Sequence, residues 1–429
     1  MPETTLMPAV RDEVARLGRA DIMVGIPSYR NAATIGYVVR AAQAGLVQYF
    51  PDLRPVVVNS DAGSSDGTGR VVVETEPPDY VERILLVRPK NRLTRVSLTY
   101  PEVAGTGGKG AALRTIFEMA AALEVQALVV VDSDLRSILP EWIELLAGPI
   151  LKGGFDFVAP LYQRHKHDGT ITNTITYPLI RALYGLRVRQ PIGGDFGVSG
   201  DLVRHYLEAG DWTPDVSRFG IDTWMTTQAV TGGFAICQAR LGAKVHDPKD
   251  PGADLGPMVR QVVATTLRLA VAHADRWTGV RGSRDVPAYG FERPGDPPPL
   301  EIDVPRLLTA FHGAARTLGP TWRTMLAPAS AVGVLDLAAA AGTPAGARFP
   351  EDLWARVIYD LVVSARRDPD GLDEHVAALV PIYFGRVAAH IEACRDLSTL
   401  EAEAVVERGA LEFERQKPYL LERWAGLAG

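Results

Sequence analysis

Short apolar runs followed by polar residues alternate with longer helical patterns through the first part of the chain. The runs are Asp21–Ile26, Pro55–Asn59, Ile84–Val87, Gln126–Val131 and Phe155–Ala159. Helical patterns extend from about Ala33 to Phe50 and from Gly110 to about Leu123. Strands that alternate with helices in this way form mostly parallel sheets covered on both faces. The sequence therefore predicts an α/β fold.

The strand pattern fades after about Pro257, and helical patterns dominate from there. They lie at Val259–Trp277, Val304–Leu318, Pro350–Ala365 and Leu372–Trp424. Residues 282–304 are rich in proline, glycine and charge, which is typical of a linker or an excursion. We therefore expect an N-terminal helical extension at 1–20, an α/β domain at 21–256 and a helical C-terminal domain at 257–429.

Composition excludes several classes of protein. The net charge is -6, so no basic excess indicates binding along nucleic acid. Cys237 and Cys394 are far apart and in no CxxC pattern, which argues against a disulfide framework or a thiolate zinc site. The segment Met1–Ala20 lacks the apolar core of a signal peptide. We expect a cytoplasmic enzyme that binds neither membrane nor nucleic acid.

Polar loops follow three of the apolar runs, at Ser28, Asp61 and Asp132. Ligands of open parallel sheets bind beyond the carboxyl ends of the strands, so these loops should converge on one edge. Asp61 could accept a hydrogen bond from a base or a ribose hydroxyl, or belong to a turn. Asp66, in the same loop, is better explained as a helix cap.

An acidic triplet, Asp132-Ser133-Asp134, follows the most apolar run. Two carboxylates on alternate residues can share a divalent cation, and oxygen ligands suit Mg²⁺ or Mn²⁺. Such a cation offsets charge on a departing diphosphate. The alternative is that these residues end a strand or cap a helix.

The run Gly105–Gly110 opens a helix and includes Lys109. Glycines allow close approach of the backbone to a phosphate, and a helix N-terminus favours an anion. The spacing is not that of a P-loop, and a plain flexible loop is the alternative.

Three further motifs lie between residues 190 and 247. Gln190–Asp195 places two glycines before a carboxylate, so that Asp195 could hold sugar hydroxyls or lie in a strained turn. Asp222 opens an apolar helix, where a carboxylate also complements the helix dipole. His246, in Ala243–Asp247, could complete a metal shell by a ring nitrogen or have a structural role.

Taken in this order, the motifs resemble those of nucleotide-diphospho-sugar transferases of the GT-A fold. More narrowly, residues from about 20 to 270 resemble the retaining enzymes mannosylglycerate synthase and glucosyl-3-phosphoglycerate synthase. The most specific pieces are Gln190–Asp195, Phe219–Thr223, and Leu241–His246 followed by Met258–Val262. The resemblance implies a mixed GT-A sheet at 21–256 that carries catalysis.

The resemblance also implies transfer of glucose or mannose from a GDP- or UDP-hexose, with Mg²⁺ or Mn²⁺ as cofactor. The acceptor would be a small hydroxy acid of the glycerate or 3-phosphoglycerate type. The helical C-terminus could mediate a homodimer, close the acceptor pocket or add stability. The implied roles are nucleotide binding for Pro27, Ser28, Tyr29, Asp61, Gly108, Lys109 and Ser133, metal binding for Asp132, Asp134 and His246, and catalysis for Asp195 and Asp222.

The acceptor segment of these relatives would correspond to Tyr162–Tyr177. The candidate acceptor-binding residues there are Arg164, Thr170, Thr172 and Asn173. The phosphoglycerate enzymes carry Gly-Gly-Arg-Val-Thr in this segment, whereas Asp168–Thr172 of this chain reads Asp-Gly-Thr-Ile-Thr. The missing arginine argues against a phosphorylated acceptor, although the basic run Arg164–His167 leaves some cationic capacity.

Three other functions fit parts of the pattern. An inverting transferase of the same fold would use Asp195 or Asp222 as general base. A sugar-1-phosphate nucleotidylyltransferase also uses a glycine-rich loop with a lysine, but normally after the first strand. A non-catalytic nucleotide-sugar-binding protein would not need the full acidic set.

Overall fold

The computed structural model describes residues 6, 8–78, 93–100, 105–246, 255–292, 297–340 and 348–427. The predicted strand Ile84–Val87 lies outside the described residues. The described strands are β1 Ile22–Ser28, β2 Pro55–Asp61, β3 Thr94–Thr99, β4 Ala127–Val130, β5 Phe157–Gln163, β6 Leu186–Arg187, β7 Phe196–Ser199, β8 Ile236–Ala243, β9 Arg284–Asp285 and β10 Ala288–Tyr289.

The described helices occupy both the α/β and the C-terminal parts of the chain. They are α1 Pro8–Leu17, α2 Ile35–Tyr49, α3 Thr68–Glu74, α4 Lys109–Ala122, α5 Pro140–Gly153, α6 Tyr177–Tyr184, α7 Gly200–Glu208, α8 Ile221–Thr231, α9 Leu255–Ala272, α10 Ala274–Trp277, α11 Val304–Met325, α12 Pro328–Ala339, α13 Glu351–Arg367, α14 Leu372–Cys394 and α15 Thr399–Ala425. A π-helical turn, Thr172–Thr176, precedes α6 directly.

The chain forms two compact units that are discontinuous in sequence. The sheet unit comprises Met1–Gln163, Ile192–Asp247 and Val286–Pro297. The helical unit comprises Arg164–Pro191, Pro248–Asp285 and Pro298–Gly429. The sequence predicted one boundary near residue 256. The sequence analysis did not predict that residues 164–191 belong to the helical unit. A short helical segment between two strands carries no local sequence pattern that indicates which unit it packs against.

The sheet unit holds a mixed sheet of eight described strands in the order β10-β8-β5-β7-β4-β1-β2-β3. Strand β1 lies parallel to both β2 and β4, and β5 lies parallel to β8. Strand β7 runs antiparallel to both of its neighbours, β4 and β5. The predicted α/β class with a mainly parallel sheet and a helical C-terminal region is confirmed.

One hydrophobic cluster of the sheet unit lies between the sheet and the helices α2 and α5. Apolar side chains of β1, such as Val24 and Ile26, are buried with Val38 and Val39 of α2 and with Trp142 of α5. Because strands buried on both faces read as continuous apolar runs, the sequence located β1, β2 and β4 to within two residues. The polar residues that follow these strands are thereby held at one edge of the sheet.

The helical unit has a buried ionic centre. Arg181 of α6 is 1% exposed and pairs with Glu407 and Glu414 of α15, with a nitrogen–oxygen distance of 2.6 Å to each. The sequence predicted one helical stretch from 372 to 424, but the structure divides it into two helices. The first, α14, ends at Cys394, and Ser398 is the N-cap of the second, α15. Its hydroxyl and the Glu401 side chain form a capping box, which satisfies the first amide groups of α15.

One described helix, α14, is long and apolar enough to cross a membrane by length and composition. Of its apolar window, 61% is buried inside the protein. A core helix of a soluble protein has the same properties, so this helix is weak evidence for a membrane span.

Candidate active site

The loops after β1 and β2 are joined through Asp61. Ser28 Oγ donates to Asp61 Oδ1 over 2.8 Å, and the amide nitrogen of Ser64 donates to Asp61 Oδ2 over 2.6 Å. Asn59 Nδ2 donates to Ser28 Oγ over 2.7 Å. The two strands are in register at Ser28 and Asp61, so the carboxyl ends of the strands converge as the sequence predicted.

A tyrosine that the sequence analysis missed lies beside Asp61. Tyr100 directly follows β3, and its amide nitrogen donates to the Asp61 carbonyl over 3.2 Å. Burial, the Asp61 carboxylate and Tyr29 raise the pKa of Tyr100, although a hydrogen bond from the Gly108 backbone acts in the opposite direction. Tyr29 is 55% exposed. The sequence analysis could not single out Tyr100, because it did not predict the strand Thr94–Thr99 that precedes it.

Other predicted nucleotide-binding residues shape the same loops. Pro27 is buried within β1. Ser133 is also buried, and its hydroxyl donates to Asn31 Oδ1 over 2.8 Å, so that it fixes the loop after β1. Asp66 accepts from the amide nitrogen of Thr68, at the start of α3, over 3.1 Å. The N-cap residue of α3 is Gly67, so Asp66 is not itself the cap that the sequence predicted, although it pairs with the first amide of the helix.

The start of α4 is docked on the segment that precedes α8. The amide nitrogen of Gly110 donates to the Arg218 carbonyl over 3.2 Å. A Cβ at Gly110 would lie 1.8 Å from the Val216 carbonyl oxygen, so glycine is required for this contact. The docking places Lys109, the first residue of α4, against Asp222 in the first turn of α8.

Five charged side chains form one ionic cluster, made of Lys109, Asp132, Asp195, Asp222 and Lys244. Lys109 Nζ lies 2.9 Å from Asp132 Oδ1 and 3.1 Å from Asp222 Oδ1. Lys244 Nζ lies 2.8 Å from both Asp132 Oδ2 and Asp195 Oδ2. Sequence reasoning missed Lys244 because it assigned the Lys-Val-His motif to His246.

The Gly-Gly-Asp motif fits closely around this cluster. Gly193 accepts a hydrogen bond from Lys244 Nζ over 2.8 Å through its carbonyl oxygen. Gly194 has φ +92, and a Cβ there would lie 2.2 Å from Asp132 Oδ2. A positive φ and this contact both require glycine at position 194.

Asp195 is 0% exposed and is held on several sides. It accepts hydrogen bonds from the Asp132 amide nitrogen over 2.8 Å, from Lys244 Nζ over 2.8 Å and from the Tyr162 hydroxyl. In this arrangement Asp195 positions Asp132 and Lys244. Contact between Asp195 and a sugar, which the sequence predicted, would require the cluster to open.

Burial and charge act in opposite directions on the cluster. Burial disfavours the charged form of Lys109, but Asp132 and Asp222 outweigh it and raise the pKa of Lys109. Burial also opposes ionisation of Asp132, yet Lys109 and Lys244 hold the pKa of Asp132 well below its usual range. Burial raises the pKa of both Asp195 and Asp222 against the attraction of the lysines. When all five groups are ionised, the cluster carries one excess negative charge.

Asp222 has an oxygen available for a further partner. Its Oδ2 accepts from Lys109 over 3.2 Å. Its Oδ1 is buried within ion-pair distance of Lys109 but makes no hydrogen bond in the described structure. Both oxygens of Asp222 therefore face the Lys109 ammonium, and Oδ1 has no hydrogen-bond donor besides this ion-pair contact in the described structure.

The predicted metal ligands do not form a preassembled shell. Within the described ranges, no three His, Cys, Asp or Glu side chains are grouped to hold a metal ion. Both oxygens of Asp132 are engaged by lysines. Asp134 is partly exposed, and its carboxylate has no hydrogen bond or ion pair in the described part of the chain. Of the two carboxylates in the acidic triplet, Asp134 is therefore the one that is not engaged by a lysine.

The loop of Asp134 and the strand end before His246 are bonded to each other. The amide nitrogen of Arg136 donates to the Val245 carbonyl over 2.9 Å, and the Val245 amide nitrogen donates to Ser137 Oγ over 2.9 Å. Asp134 lies two residues before this contact and His246 one residue after it. A carboxylate oxygen suits Mn²⁺ or Mg²⁺, whereas an imidazole nitrogen suits a transition metal better than it suits Mg²⁺.

Three of the four acceptor candidates line a pocket within the helical unit. We call it the helical-unit pocket, and Arg164, Thr172 and Asn173 contribute to it. Thr170 lies elsewhere, because it is 1% exposed and its hydroxyl bonds the Tyr383 hydroxyl over 2.6 Å. Thr170 is therefore buried and does not line this pocket.

No family model and no curated protein matches the chain. Solved structures of glucosyl-3-phosphoglycerate synthase from Mycobacterium tuberculosis do match. The complex with phosphoglyceric acid is 26% identical with a TM-score of 0.43, and the alignment covers 62% of this chain and 85% of that chain. The complex with Mn²⁺, UDP and glucosyl-3-phosphoglycerate is 25% identical with a TM-score of 0.42, covering 63% and 86%.

This chain is similar to glucosyl-3-phosphoglycerate synthase. A third complex, with Mg²⁺ and UDP, is 27% identical with a TM-score of 0.42 and covers 63% of this chain and 84% of that chain.

Proposed function

We propose that this protein is a cytoplasmic, metal-dependent retaining glycosyltransferase. It moves glucose or mannose from a nucleotide-diphospho-sugar to a small hydroxy acid. The ionic cluster is the observation that carries this proposal. Three carboxylates, of which those of Asp195 and Asp222 are buried, meet two lysines. They come from the end of β4, the start of β7 and the first turn of α8, at the edge where the parallel strands end and where ligands of such sheets bind.

The nucleotide would bind at the edge formed by the ends of β1, β2 and β3. Tyr29 is exposed there, and Tyr100 offers a second aromatic face near Asp61. The Asp61 carboxylate would accept a hydrogen bond from the base or the ribose of the nucleotide. This bond would replace one of the hydrogen bonds that Asp61 now accepts from Ser28 and Ser64. Lys109 and the backbone at the start of α4 would face the diphosphate, since the N-terminus of a helix favours an anion.

Asp134 and His246 would hold the divalent cation. Bound there, the cation would neutralise charge on the diphosphate as the sugar departs. Asp132 would remain fixed by Lys109 and Lys244, and so would shape the site rather than act as the main ligand.

The residues of this chain would act mainly by positioning and by charge. Asp222 Oδ1 would accept a hydroxyl of the donor sugar or of the acceptor. In the retaining reaction, the acceptor hydroxyl attacks on the face from which the diphosphate leaves, and the leaving phosphate oxygen takes its proton. No protein nucleophile is then needed, and rate enhancement comes from orientation and electrostatic stabilisation.

An inverting transferase with Asp222 as general base is the second candidate. The raised pKa of Asp222, caused by its burial, favours it because a base with a higher pKa binds a proton more strongly. The anomeric configuration of the product, determined by NMR, separates the two. Retention supports the first proposal and inversion supports the second.

The proposed function is tested by a matrix of donors and acceptors with Mg²⁺ and with Mn²⁺, scored by mass spectrometry. Asp134→Ala should remove most turnover, and Asp222→Asn should lower kcat by roughly 10²-fold or more. Asp201→Asn serves as a control, because Asp201 is an exposed carboxylate in the first turn of α7. Metal-dependent transfer at the wild-type rate by Asp134→Ala would refute the metal assignment.

A further inference from the structure

The Lys244 ammonium is surrounded by three oxygen atoms of the sheet unit. Lys244 Nζ donates hydrogen bonds of 2.8 Å to Asp132 Oδ2 and of 2.8 Å to Asp195 Oδ2. A third hydrogen bond, also of 2.8 Å, goes to the carbonyl oxygen of Gly193. An ammonium group has three N–H donors, so these bonds engage all of them. We call the three oxygens the Lys244 cage.

The cage is held in place by contacts other than those to the lysine. Asp195 is fully buried, and it also accepts hydrogen bonds from the Asp132 amide nitrogen and from the Tyr162 hydroxyl. The ring of the same tyrosine faces the ammonium, with 5.1 Å between the ring centroid and Lys244 Nζ. The oxygens are therefore arranged before any ligand arrives.

The composition of the cage is that of a site for a divalent cation. Carboxylate and backbone carbonyl oxygens are the ligands that hard divalent cations prefer. In this protein an ammonium occupies the position instead, so that a divalent cation could enter only by displacing a buried lysine. Displacement would leave that ammonium desolvated and without its partners, which is strongly unfavourable. The other oxygen of Asp132 is held by Lys109 at 2.9 Å, so Asp132 is closed to metal on both sides.

The charge of the ionic cluster leads to the same result. Three aspartates and two lysines carry one excess negative charge when all are ionised. Without Lys244, three carboxylates would face one lysine, and the excess would be two negative charges. That excess is equal and opposite to the charge of one divalent cation. Lys244 therefore takes both the position and part of the charge that such a cation would have.

We propose that Lys244 is a built-in cation that keeps Mn²⁺ and Mg²⁺ out of the Lys244 cage. The free protein would then hold a divalent cation weakly, and the cation would bind together with a diphosphate, whose oxygens supply the ligands that Asp132 does not. This second part rests on the proposed function, in which Asp134 and His246 hold the cation. The first part depends only on the contacts of Lys244.

Titration with Mn²⁺, followed by the electron paramagnetic resonance signal of the free ion, tests both parts. Wild type should bind Mn²⁺ weakly on its own, and the affinity should increase by roughly ten-fold or more with UDP or GDP. Titrations of each nucleotide without protein correct for the Mn²⁺ that it binds in solution. Lys244→Ala should bind one Mn²⁺ without nucleotide, with an affinity roughly ten-fold or more above that of wild type, because two carboxylates of the cage lose their cation.

Lys109→Ala is the matched control. It removes the same charge from the same cluster, and Lys109 also contacts Asp132, but the cage keeps its own lysine. Lys109→Ala should therefore not gain the Mn²⁺ site. Adding Asp195→Asn to Lys244→Ala should remove the gained site, whereas adding Asp134→Asn should leave it intact. In wild type with UDP, Asp134→Asn should instead weaken Mn²⁺ binding.

Thermal unfolding gives a second measurement on the same variants. Lys244→Ala should be less stable than wild type, because it leaves buried carboxylates unpaired. Millimolar Mn²⁺ should raise its unfolding temperature more than that of wild type, since a cation that binds only the folded state stabilises it. A Lys244→Ala protein that stays unfolded in millimolar Mn²⁺ would overturn the proposal.

Three binding results would also overturn it. They are a wild type that binds Mn²⁺ equally well with and without nucleotide, no gain in Lys244→Ala, and equal gains in Lys244→Ala and Lys109→Ala. The last would show that net charge, and not the cage, governs the binding of Mn²⁺. Transfer by wild type in the matrix of donors and acceptors would survive each of these results. A gain confined to Lys244→Ala, without transfer to any acceptor by wild type, would support the cage and refute the proposed function.

Discussion

Lys244→Met tests whether the ionic cluster holds the site together. Lys244 is 4% exposed at its side chain and bridges Asp132 and Asp195, with 2.8 Å to an oxygen of each. Methionine keeps the length of the chain but leaves two buried carboxylates without their shared cation. Removing one partner of a buried ion pair costs about 3–5 kcal/mol, because the remaining charge stays desolvated. Turnover should fall by roughly 10²-fold as Asp132 shifts.

The loss of stability in Lys244→Met should depend on pH. Burial already raises the pKa of Asp195, and loss of Lys244 raises it further. A carboxyl whose pKa is higher in the folded state than in the unfolded state loses stability as pH rises between those values. The variant should therefore be less destabilised near pH 5 than near pH 8.

Thermal unfolding of wild type, Lys244→Met, Asp195→Asn and the double variant measures this effect. With roughly 2–4 °C per kcal/mol for a unit of this size, Lys244→Met should unfold ~6–20 °C below wild type at pH 8. Asp195→Asn should recover part of that loss in the double variant, since an amide needs no cation. A Lys244→Met protein as stable and active as wild type at both pH values would refute the role of the cluster.

Two further substitutions test separate features of the structure. Gly194→Ala should lower kcat by ~10²-fold, because the added Cβ would lie 2.2 Å from Asp132 Oδ2. Gly18→Ala is the control. Gly18 also has a positive φ, +72, but a Cβ there would have no atom within 4 Å, so this substitution strains the backbone without touching the site and should leave kcat unchanged. Equal loss of kcat in both would contradict the contact argument. Burial lowers the pKa of Lys417 to about 8, so the unfolded lysine holds a proton that the folded one has lost above that pH. The free energy of unfolding of wild type, relative to that of Lys417→Met, should therefore rise by about 2–3 kcal/mol from pH 7 to pH 10. Chemical denaturation of both proteins at the two pH values measures this difference, and a difference that does not change with pH would show that the pKa of Lys417 is not lowered.

The elements of the sheet unit could be predicted because their signals are local. The strands β1, β2 and β4 are buried on both faces and read as apolar runs, and the acidic and serine residues that follow them mark the carboxyl ends. Since those ends lie at one edge, sequence order alone indicated that Asp61 and Asp132 share it. The antiparallel direction of β7 had no such signal, because four apolar residues read the same in either direction.

Several site residues depended on contacts between distant segments. Lys244 is recognised as a site residue because its Nζ lies 2.8 Å from an oxygen of both Asp132 and Asp195. The residues next to Lys244 in the sequence do not indicate these contacts. Asp195 was expected to contact a sugar and Thr170 the acceptor, but both are buried and hydrogen-bonded to protein side chains, Tyr162 and Tyr383 respectively.

Sequence alone determined the α/β class, the helical character of the C-terminal region and the edge of the sheet where chemistry would lie. It could do so because burial periodicity and strand-end polarity are imposed on neighbouring residues by secondary structure. The tertiary structure decided which charges pair and which carboxylate of the acidic triplet is left without a lysine partner. Such pairings depend on side chains that meet after the chain has packed, and the free energy of a charge depends on its burial and partners more than on its neighbours in sequence.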